Sequence, residues 1–366
     1  MQISKIFQHF SFEMVAVKGL SLYKRYDCEI MTELLIGDCH FGTHSNNISW
    51  LQTQVKFFNT QVCETIENYE LDRIVFLGDV FDVRYSVNTH VGIEVKKIFR
   101  RILSYGLPVY VVAGNHDYYS PLKELQEYNA YELVFGKEFE SKYSNLHIIK
   151  YEPLYVDGSL FLPWYCTEDE ETWHSVCKDY KHQIKTIYCH SDMVSWDEGR
   201  LAACGNPTVY SGHIHYPYID VKNRLYNIGA CMAFNFNDVN SDRHLWIVED
   251  GVCKEKIVNL TTPRFKRFYN EQIFNLKDED FVNSIVQLCV AQSNVNKARY
   301  IEQIKYLKTT YVDCNIKVNV IDDNADIERF EPVQFNTNID VYIEDNIPEY
   351  LYTKYETVKE KMKTEI

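Results

Sequence analysis

The chain has 366 residues, of which 46% are apolar and 25% charged, and its net charge is −14. This is the composition of a globular protein with more than one domain, and its acidity argues against a freestanding nucleic-acid binder, because phosphate contacts need basic surfaces. No run of eighteen apolar residues suggests a transmembrane helix. The eleven cysteines form no C-x-x-C pair, which argues against a disulfide framework or a zinc ribbon and favours a reducing, cytoplasmic compartment.

Residues 1–31 precede the first strong strand pattern, and we expect them to form an accessory or poorly ordered extension. From there, strand-like runs alternate with helix-like stretches at 48–66 and 91–106. The runs are LLIG (34–37), RIVFLG (73–78), PVYVVAG (108–114), TIYC (186–189) and TVYSG (208–212). This alternation predicts parallel strands joined by right-handed crossovers. Short strand patterns after residue 215 predict a second sheet that stacks on the first.

The pattern changes near residue 262, where a second α/β segment begins. A helix-like stretch there stands between two strand-like ones: SIVQLCVAQ (284–292), KARYIEQIKYLKTTY (297–311) and CNIKVNVID (314–322). This order predicts a β-α-β unit. The tail has apolar residues at helical spacing, as a partner-docking helix would. We therefore expect a catalytic domain, a small DNA-binding α/β cap and a C-terminal helix: 32–262, 263–345 and 346–366.

Each of the five strand-like runs ends in a polar cluster. The clusters are GDCH (37–40), GDVFD (78–82), GNHD (114–117), CH (189–190) and GHIH (212–215). Ligands of open parallel sheets bind outside the carboxyl ends of the strands, so we expect the clusters to meet at one edge. Because side chains alternate along a strand, Asp38 and His40 are expected to point into the site and Cys39 into the packing.

The clusters supply a mixed oxygen and nitrogen ligand set without a required thiolate. Its members are Asp38, His40, Asp79, Asn115, His190, His213 and His215. Such a set suits manganese, iron or zinc. Seven ligands are too many for one ion, so we expect Asp79 to bridge two ions about 3.5–4 Å apart, as in sites that hydrolyse phosphate esters with an activated water.

In this order the clusters resemble the five signature motifs of the calcineurin-like metallophosphoesterase superfamily. Within it, the chain is most similar to the SbcD-type double-strand-break repair nucleases, especially their bacteriophage homologue, the recombination endonuclease subunit. The finer match is carried by GDVFDVRYSVNTH, FLPW (161–164), GHIHYPYIDVKNRLYNIGA and PRFKRF. The resemblance implies an α/β fold: a metallophosphoesterase β-sandwich flanked by helices in α/β/β/α layers, with a small α/β cap.

The resemblance also implies a role for each site residue. The first ion would be held by Asp38, His40 and His215, and the second by Asn115, His190 and His213, with Asp79 as the bridge. His116 would stabilise the transition state or assist the leaving group, and Asp117 would orient His116. Manganese is the expected ion, with magnesium, iron(II) and zinc as alternatives. His174 and His182 are weaker rivals for the place of His190.

Other polar and aromatic residues lie near the motifs. We expect Asp82 to cap or support the second loop. Arg84 is a candidate for contact with a phosphate. Tyr118 and Tyr119 either stack on a nucleobase or pack inside the protein.

The predicted function is that of a metal-dependent DNA exonuclease or endonuclease in recombination, repair or replication. The resemblance implies a homodimer that joins an SMC-like ATPase of the SbcC type, in the cytoplasm of the host if the chain is viral, with no membrane partner. The alternative is another calcineurin-like phosphoesterase, either a protein phosphatase or a nucleotide phosphodiesterase. A non-catalytic scaffold is disfavoured, because all seven expected ligands and His116 are present.

Overall fold

The computed structural model describes residues 30–82, 84, 86–120, 122, 125–168, 175–176, 183–239, 241–312 and 314–323. Nearly all of the predicted N-terminal extension lies outside this part, as do His174, His182 and the predicted helix at 346–366. The chain divides into two compact units. The first contains the residues up to Cys231 together with His244–Val258, and the second contains Met232–Arg243 and the residues from Asn259 onward. The finer division into four segments remains a prediction.

The described part of the first unit contains twelve strands. They are β1 (Thr32–Ile36), β2 (Arg73–Phe76), β3 (Val109–Val112), β4 (Leu146–Ile149), β5 (Leu154–Val156), β6 (Ser159–Leu162), β7 (Thr186–His190), β8 (Thr208–Gly212), β9 (Tyr218–Asp220), β10 (Leu225–Asn227), β11 (His244–Glu249) and β12 (Val252–Val258). They form two six-stranded sheets with the orders β12-β11-β1-β2-β3-β4 and β5-β6-β7-β8-β10-β9. In each sheet four neighbouring strands are parallel, β1 to β4 in the first and β6, β7, β8 and β10 in the second.

Helices connect these strands. They are α1 (Ile48–Phe57), which continues through a π-helical turn (Phe58–Val62) into α2 (Cys63–Asn68), then α3 (Thr89–Leu103), α4 (Ala130–Val134), α5 (Gly136–Lys142), α6 (Trp164–Glu168) and α7 (Glu198–Ala203). The helices predicted at 48–66 and 91–106 are thus confirmed. So is the mixed α/β class, since all five strand-like runs form strands. No helix in the described residues is both long and apolar enough to cross a bilayer.

Two expectations about the sheets were wrong. The five motif strands do not share one sheet, because β1, β2 and β3 lie in the first and β7 and β8 in the second. Strands β11 and β12, expected in the second sheet, belong to the first, where β11 pairs antiparallel with β1. Strand β1 is the first of the four parallel strands, so one of its edges has no parallel neighbour. Strand β11 pairs along that edge. The motif loops therefore come from two sheets.

An aromatic layer packs between the two sheets. The ring centroids of Tyr110 and Phe161 lie 4.4 Å apart, those of Phe161 and Tyr188 5.1 Å apart, and those of Tyr188 and Tyr210 6.0 Å apart, all nearly parallel. The Arg73 guanidinium lies over three of these rings and forms a buried ion pair with Glu33. Aromatic pairs of this kind add about 0.5–1.5 kcal/mol beyond their burial, so the layer fixes the strand ends relative to each other.

The second unit contains a parallel sheet of three strands in its described part. They are β13 (Arg264–Tyr269), β14 (Ser284–Ala291) and β15 (Asn315–Ile321), with α8 (Ala298–Thr310) between the last two. The predicted β-α-β unit is therefore confirmed. Its core contains Phe281, Leu288, Tyr300 and Leu307, all buried.

Candidate metal centre

The loops that follow β1, β2, β3, β7 and β8 bring the predicted ligands together. Three groups of side chains have ligand atoms that lie within 4.8 Å of one another: Asp38, His40 and His215; His40, Asp79 and His116; Asp79, His190 and His213. His40 belongs to two groups, and so does Asp79. The three groups are therefore parts of one cluster, whose centre lies near the Asp79 carboxylate.

Unusual backbone conformations in the motif loops bring the side chains of the cluster close together. The loops place His40, Asp79 and His213 in the left-handed region, with φ of 45°, 45° and 86°, which costs of order 1–3 kcal/mol for each non-glycine residue. The Asp79 carbonyl accepts hydrogen bonds from the main-chain N–H of Cys39 and His40 at 3.0 and 2.9 Å. The first two loops are thereby fixed to each other.

The glycine of the third motif is required by crowding. A Cβ atom at Gly114 would lie 2.2 Å from Asp79 Oδ1 and 2.4 Å from the Asp79 main-chain nitrogen. Its own φ is −91°, which any residue adopts, so the absence of a side chain is what matters. Gly114 thus lets the third loop approach the central carboxylate.

The first half of the cluster places two imidazole nitrogens face to face. The Nε2 atoms of His40 and His215 are 2.9 Å apart, and His215 Nε2 is 3.8 Å from Asp38 Oδ2. The other ring nitrogen of His40 lies 3.2 Å from Asp82 Oδ1. Burial acts to lower the pKa of His40, but the carboxylates of Asp82 and Asp79 raise it above the ordinary value.

The second half gathers acceptor atoms around the Asp79 carboxylate. His190 Nε2 lies 3.3 Å from Asp79 Oδ2 and 3.0 Å from one terminal atom of the Asn115 amide, and His213 Nδ1 lies 3.1 Å from the same amide atom. His190 Nδ1–H donates to the Leu77 carbonyl at 2.8 Å, so Nε2 is the ring nitrogen that faces Asp79 and Asn115. Burial acts to lower the pKa of His190, but Asp79 raises it to about 9.

The donor set fits divalent cations. Carboxylate oxygens, the Asn115 amide and imidazole nitrogens converge at distances of 2.9–3.3 Å. The facing Nε2 atoms of His40 and His215 would repel one another unless a proton or a cation lay between them. Oxygen and nitrogen ligands suit borderline or hard divalent ions. The fit does not specify which ion.

His116 belongs to the second of the three groups of side chains, and its ring is oriented by the second loop. The centroids of the His116 and His40 rings are 4.9 Å apart. His116 Nδ1–H donates to the Asp82 carbonyl at 2.7 Å, and its main-chain N–H donates to Asp79 Oδ1 at 2.8 Å. This geometry leaves Nε2 as the ring nitrogen available for reaction.

Asp117 bonds to the second and third loops, and its role in orienting His116 stays a prediction. Its buried carboxylate accepts hydrogen bonds from the main-chain N–H groups of Phe81 and Gly114 at 3.0 and 2.8 Å, and from the Tyr131 hydroxyl at 2.7 Å. The turn geometry aims this side chain at the second loop. Asp117 therefore connects the loop after β2 with the turn that carries His116.

The sequence missed the roles of two aspartates and left that of Tyr118 open. Asp82 is more than a cap, since it contacts His40 and holds His116. Asp192 Oδ1 lies 3.6 Å from His213 Nε2, and only its place two residues after His190 hinted at this contact. Tyr118 is fully buried and its ring packs against that of Tyr165 at 4.5 Å, so it is a packing residue, whereas Tyr119 is 46% exposed.

Comparisons with known proteins agree with this centre. The family described as calcineurin-like phosphoesterase matches residues 31–217, about half of the chain. The chain is 23% identical to "Exonuclease subunit 1" of Enterobacteria phage T4 over 326 residues, which cover 86% of this chain and 92% of that protein. It is 19% identical to the SbcD subunit of the SbcCD nuclease of Staphylococcus epidermidis, over 84% of this chain and 90% of that protein. The family match spans all five motif loops, and the chain therefore belongs to the calcineurin-like phosphoesterase family.

Proposed function

We propose that the chain is a metal-dependent DNA nuclease of the SbcD type, which hydrolyses phosphodiester bonds in DNA recombination, repair or replication. The names of both relatives support this proposal, since one is an exonuclease subunit and the other a nuclease subunit. Each alignment covers more than four fifths of both chains, so it must include part of the second unit. The similarity is therefore not confined to the phosphoesterase centre that many enzymes share.

The single observation that carries the chemistry is the convergence of acceptor atoms around Asp79. We assign a first divalent ion to Asp38, His40 and His215, and a second to Asn115, His190 and His213, with Asp79 as the bridge. Manganese is the proposed ion, because the ligands mix carboxylate, amide and imidazole. When bound, two such ions supply an activated water and neutralise charge on the phosphoryl oxygens.

The side chains around the ions have separate tasks. In its imidazolium form the His116 ring would donate Nδ1–H to the Asp82 carbonyl and Nε2–H to the leaving or phosphoryl oxygen, as a proton donor placed at the reacting group would. Asp117 is a positioning residue that holds the turn bearing His116. The strained loops keep the ligands in place before substrate binds, which reduces the reorganisation needed in the transition state.

The partners follow from the relatives and from the charge. Both relatives are named as subunits, and we propose that this chain likewise forms a dimer that joins an SMC-like ATPase. The net charge of −14 opposes binding to DNA by the chain alone. The ions and the ATPase would supply the missing positive charge.

A cleavage assay on several substrates tests the proposal. The purified chain is incubated with manganese and end-labelled single- and double-stranded DNA, with an aryl phosphodiester and with a phosphopeptide. We expect products from DNA and from the diester, and none after chelation. Cleavage of the phosphopeptide alone would instead identify a protein phosphatase and contradict the proposal.

Matched variants exclude a contaminating nuclease. Asp38→Ala should abolish cleavage of DNA, whereas His90→Ala should leave it unchanged, because His90 is exposed at the start of α3 and belongs to none of the three ligand groups. If both variants retained full activity, the observed cleavage would not arise from this centre.

A further inference from the structure

Arg84 lies against the amide of a proposed metal ligand. Its Nη2 atom is 2.7 Å from one terminal atom of the Asn115 amide. The other terminal atom of that amide faces His190 Nε2 at 3.0 Å, His213 Nδ1 at 3.1 Å and Asp79 Oδ2 at 3.3 Å. One small side chain thus connects a guanidinium with the centre of the cluster.

The two ends of the amide have opposite hydrogen-bonding character, so its orientation decides which neighbour is satisfied. With the oxygen towards Arg84, the guanidinium donates to the oxygen, and the amide NH₂ donates to the acceptors of the cluster. With the oxygen towards the cluster, the NH₂ faces the guanidinium, and two donors at 2.7 Å cannot form a hydrogen bond. No orientation lets the amide oxygen serve Arg84 and the cluster together.

A cation held by Asn115, His190 and His213 would select one of these two amide orientations. An amide nitrogen has no lone pair to offer a metal, so Asn115 can bind a cation only through its oxygen. That orientation removes the acceptor of Arg84. The guanidinium then stands at the edge of the site as a positive group with five donors, which matches the paired oxygens of a phosphate.

We propose that Arg84 binds a phosphate of the nucleic acid and that the Asn115 amide releases it for this task when its oxygen turns to the second cation. The inference rests on the proposed function for the identity of the anion. In this arrangement, binding of the cation raises the affinity for the phosphate, and binding of the phosphate raises the affinity for the cation. The cation and the phosphate both favour the orientation in which the Asn115 oxygen faces the cluster. Thermodynamic linkage then requires that the effect of one on the other be reciprocal.

The first test measures manganese binding without substrate, so it does not depend on cleavage. Because Arg84 holds the amide in the orientation that opposes cation binding, Arg84→Ala should bind the weaker of two manganese ions about tenfold more tightly, as expected for loss of a hydrogen bond to a charged donor. Arg101→Ala removes a charge from an exposed position on α3 and should have no effect. Unchanged or weaker manganese binding by Arg84→Ala would overturn the proposal.

A double-mutant cycle separates the amide from simple charge repulsion. A carboxylate has two oxygens and can serve the cation and the guanidinium together, so in the Asn115→Asp background Arg84→Ala should no longer tighten manganese binding. Repulsion between Arg84 and the cation would be present in both backgrounds. Additive effects of the two substitutions would therefore show that the amide is not the link.

The substrate side is tested with the aryl phosphodiester at saturating manganese. Arg84→Ala should raise KM about tenfold or more with a much smaller change in kcat, because the phosphate contact is made in the bound ground state as well as in the transition state. An unchanged KM would overturn the phosphate assignment. If the wild-type chain cleaves no diester, the proposed function fails, while the manganese titrations still decide whether Arg84 and Asn115 are linked.

Discussion

The Asp82 carbonyl accepts a hydrogen bond from His116 Nδ1 at 2.7 Å. A carbonyl oxygen can only accept, so this bond places a proton on Nδ1 and leaves Nε2 as the reactive nitrogen. The loop after β2 thereby sets the tautomer of a ring that the loop after β3 carries. The Asp82 side chain also contacts His40, so one residue orients both a proposed ligand and the proposed acid.

The first prediction concerns His116. Because this ring is proposed to act on the reacting oxygen and not to hold an ion, His116→Ala should lower kcat by about 10²–10⁴-fold, the usual contribution of a general acid. Manganese binding measured by titration should stay close to that of the wild type. A parallel loss of manganese binding would show that His116 is a ligand. The control is His90→Ala, which replaces an exposed histidine outside the three groups and should change neither kcat nor manganese binding.

The second prediction separates the side chain of Asp82 from its carbonyl. Asp82→Ala keeps the main-chain bond to His116 but removes the carboxylate beside His40, so manganese should bind about 10–100-fold more weakly, as is typical when a group that orients a metal ligand is lost. At saturating manganese kcat should largely recover. Asp82→Asn retains an oxygen that can accept from His40 and should restore part of the affinity. Equal affinities for all three proteins would contradict this role.

The third prediction uses the crowding at Gly114. A methyl group there would overlap Asp79 Oδ1 and its main-chain nitrogen, so Gly114→Ala should displace the proposed bridging carboxylate and abolish both manganese binding and cleavage. Gly92→Ala is the matched control, because its Cβ would meet only Val87 and Val134 side chains at 3.6–3.7 Å. That substitution lies within α3 and should raise Tm slightly, since alanine favours a helix over glycine by about 1 kcal/mol.

The sequence predicted the site better than the sheets, for a physical reason. A strand end followed by GDCH or GNHD is a local pattern, and strand periodicity is also local, so both can be read without knowing the partners. Which strand pairs with which depends on contacts far apart in the chain. The placement of β11 beside β1 could not be inferred from HLWIVE alone.

The roles of single residues that the sequence left open have the same origin. The contacts of Asp82 with His40 and His116 join loops that are more than thirty residues apart. Tyr118 follows GNHD and by residue type suits a nucleobase as well as it suits the core, and only the position of Tyr165 settles the matter. Residue type and spacing predicted which side chains would gather at one site but not which neighbours hold them.

The fourth prediction is a pH dependence of stability that is independent of the metal centre. His147 stacks on Tyr110, with ring centroids 4.8 Å apart, and burial lowers its pKa below the ordinary value. The imidazole of His147 is therefore protonated more readily in the unfolded chain than in the folded one. Its contribution to the free energy of unfolding is present above about pH 6.5 and is lost as the pH falls. His147→Phe keeps the stacking on Tyr110. When the pH is lowered from about 7.5 to about 5.5, the Tm of this variant should fall less than that of the wild type. Equal losses in the two proteins would exclude this contribution.

The fifth prediction distinguishes neighbours in the first motif. Cys39 is buried, its thiol donates to the Gly37 carbonyl at 3.4 Å, and burial raises its pKa well above the ordinary value, so it remains a neutral thiol that does not suit a metal. Cys39→Ala should leave manganese binding nearly unchanged. Asp38→Ala should lower the number of bound manganese ions from two to one, because it removes the carboxylate that faces His215.

The backbone contact of Asp38 requires its own control. Both carboxylate oxygens accept from the His213 N–H at 3.1 Å, so Asp38→Ala should also loosen the loop that carries two further proposed ligands. Asp38→Asn preserves an acceptor for that N–H while removing the charge. If it binds one manganese ion at wild-type Tm, the lost ion reflects the missing charge. If it binds two, the Asp38 charge is dispensable and the side chain serves mainly to anchor the loop of His213.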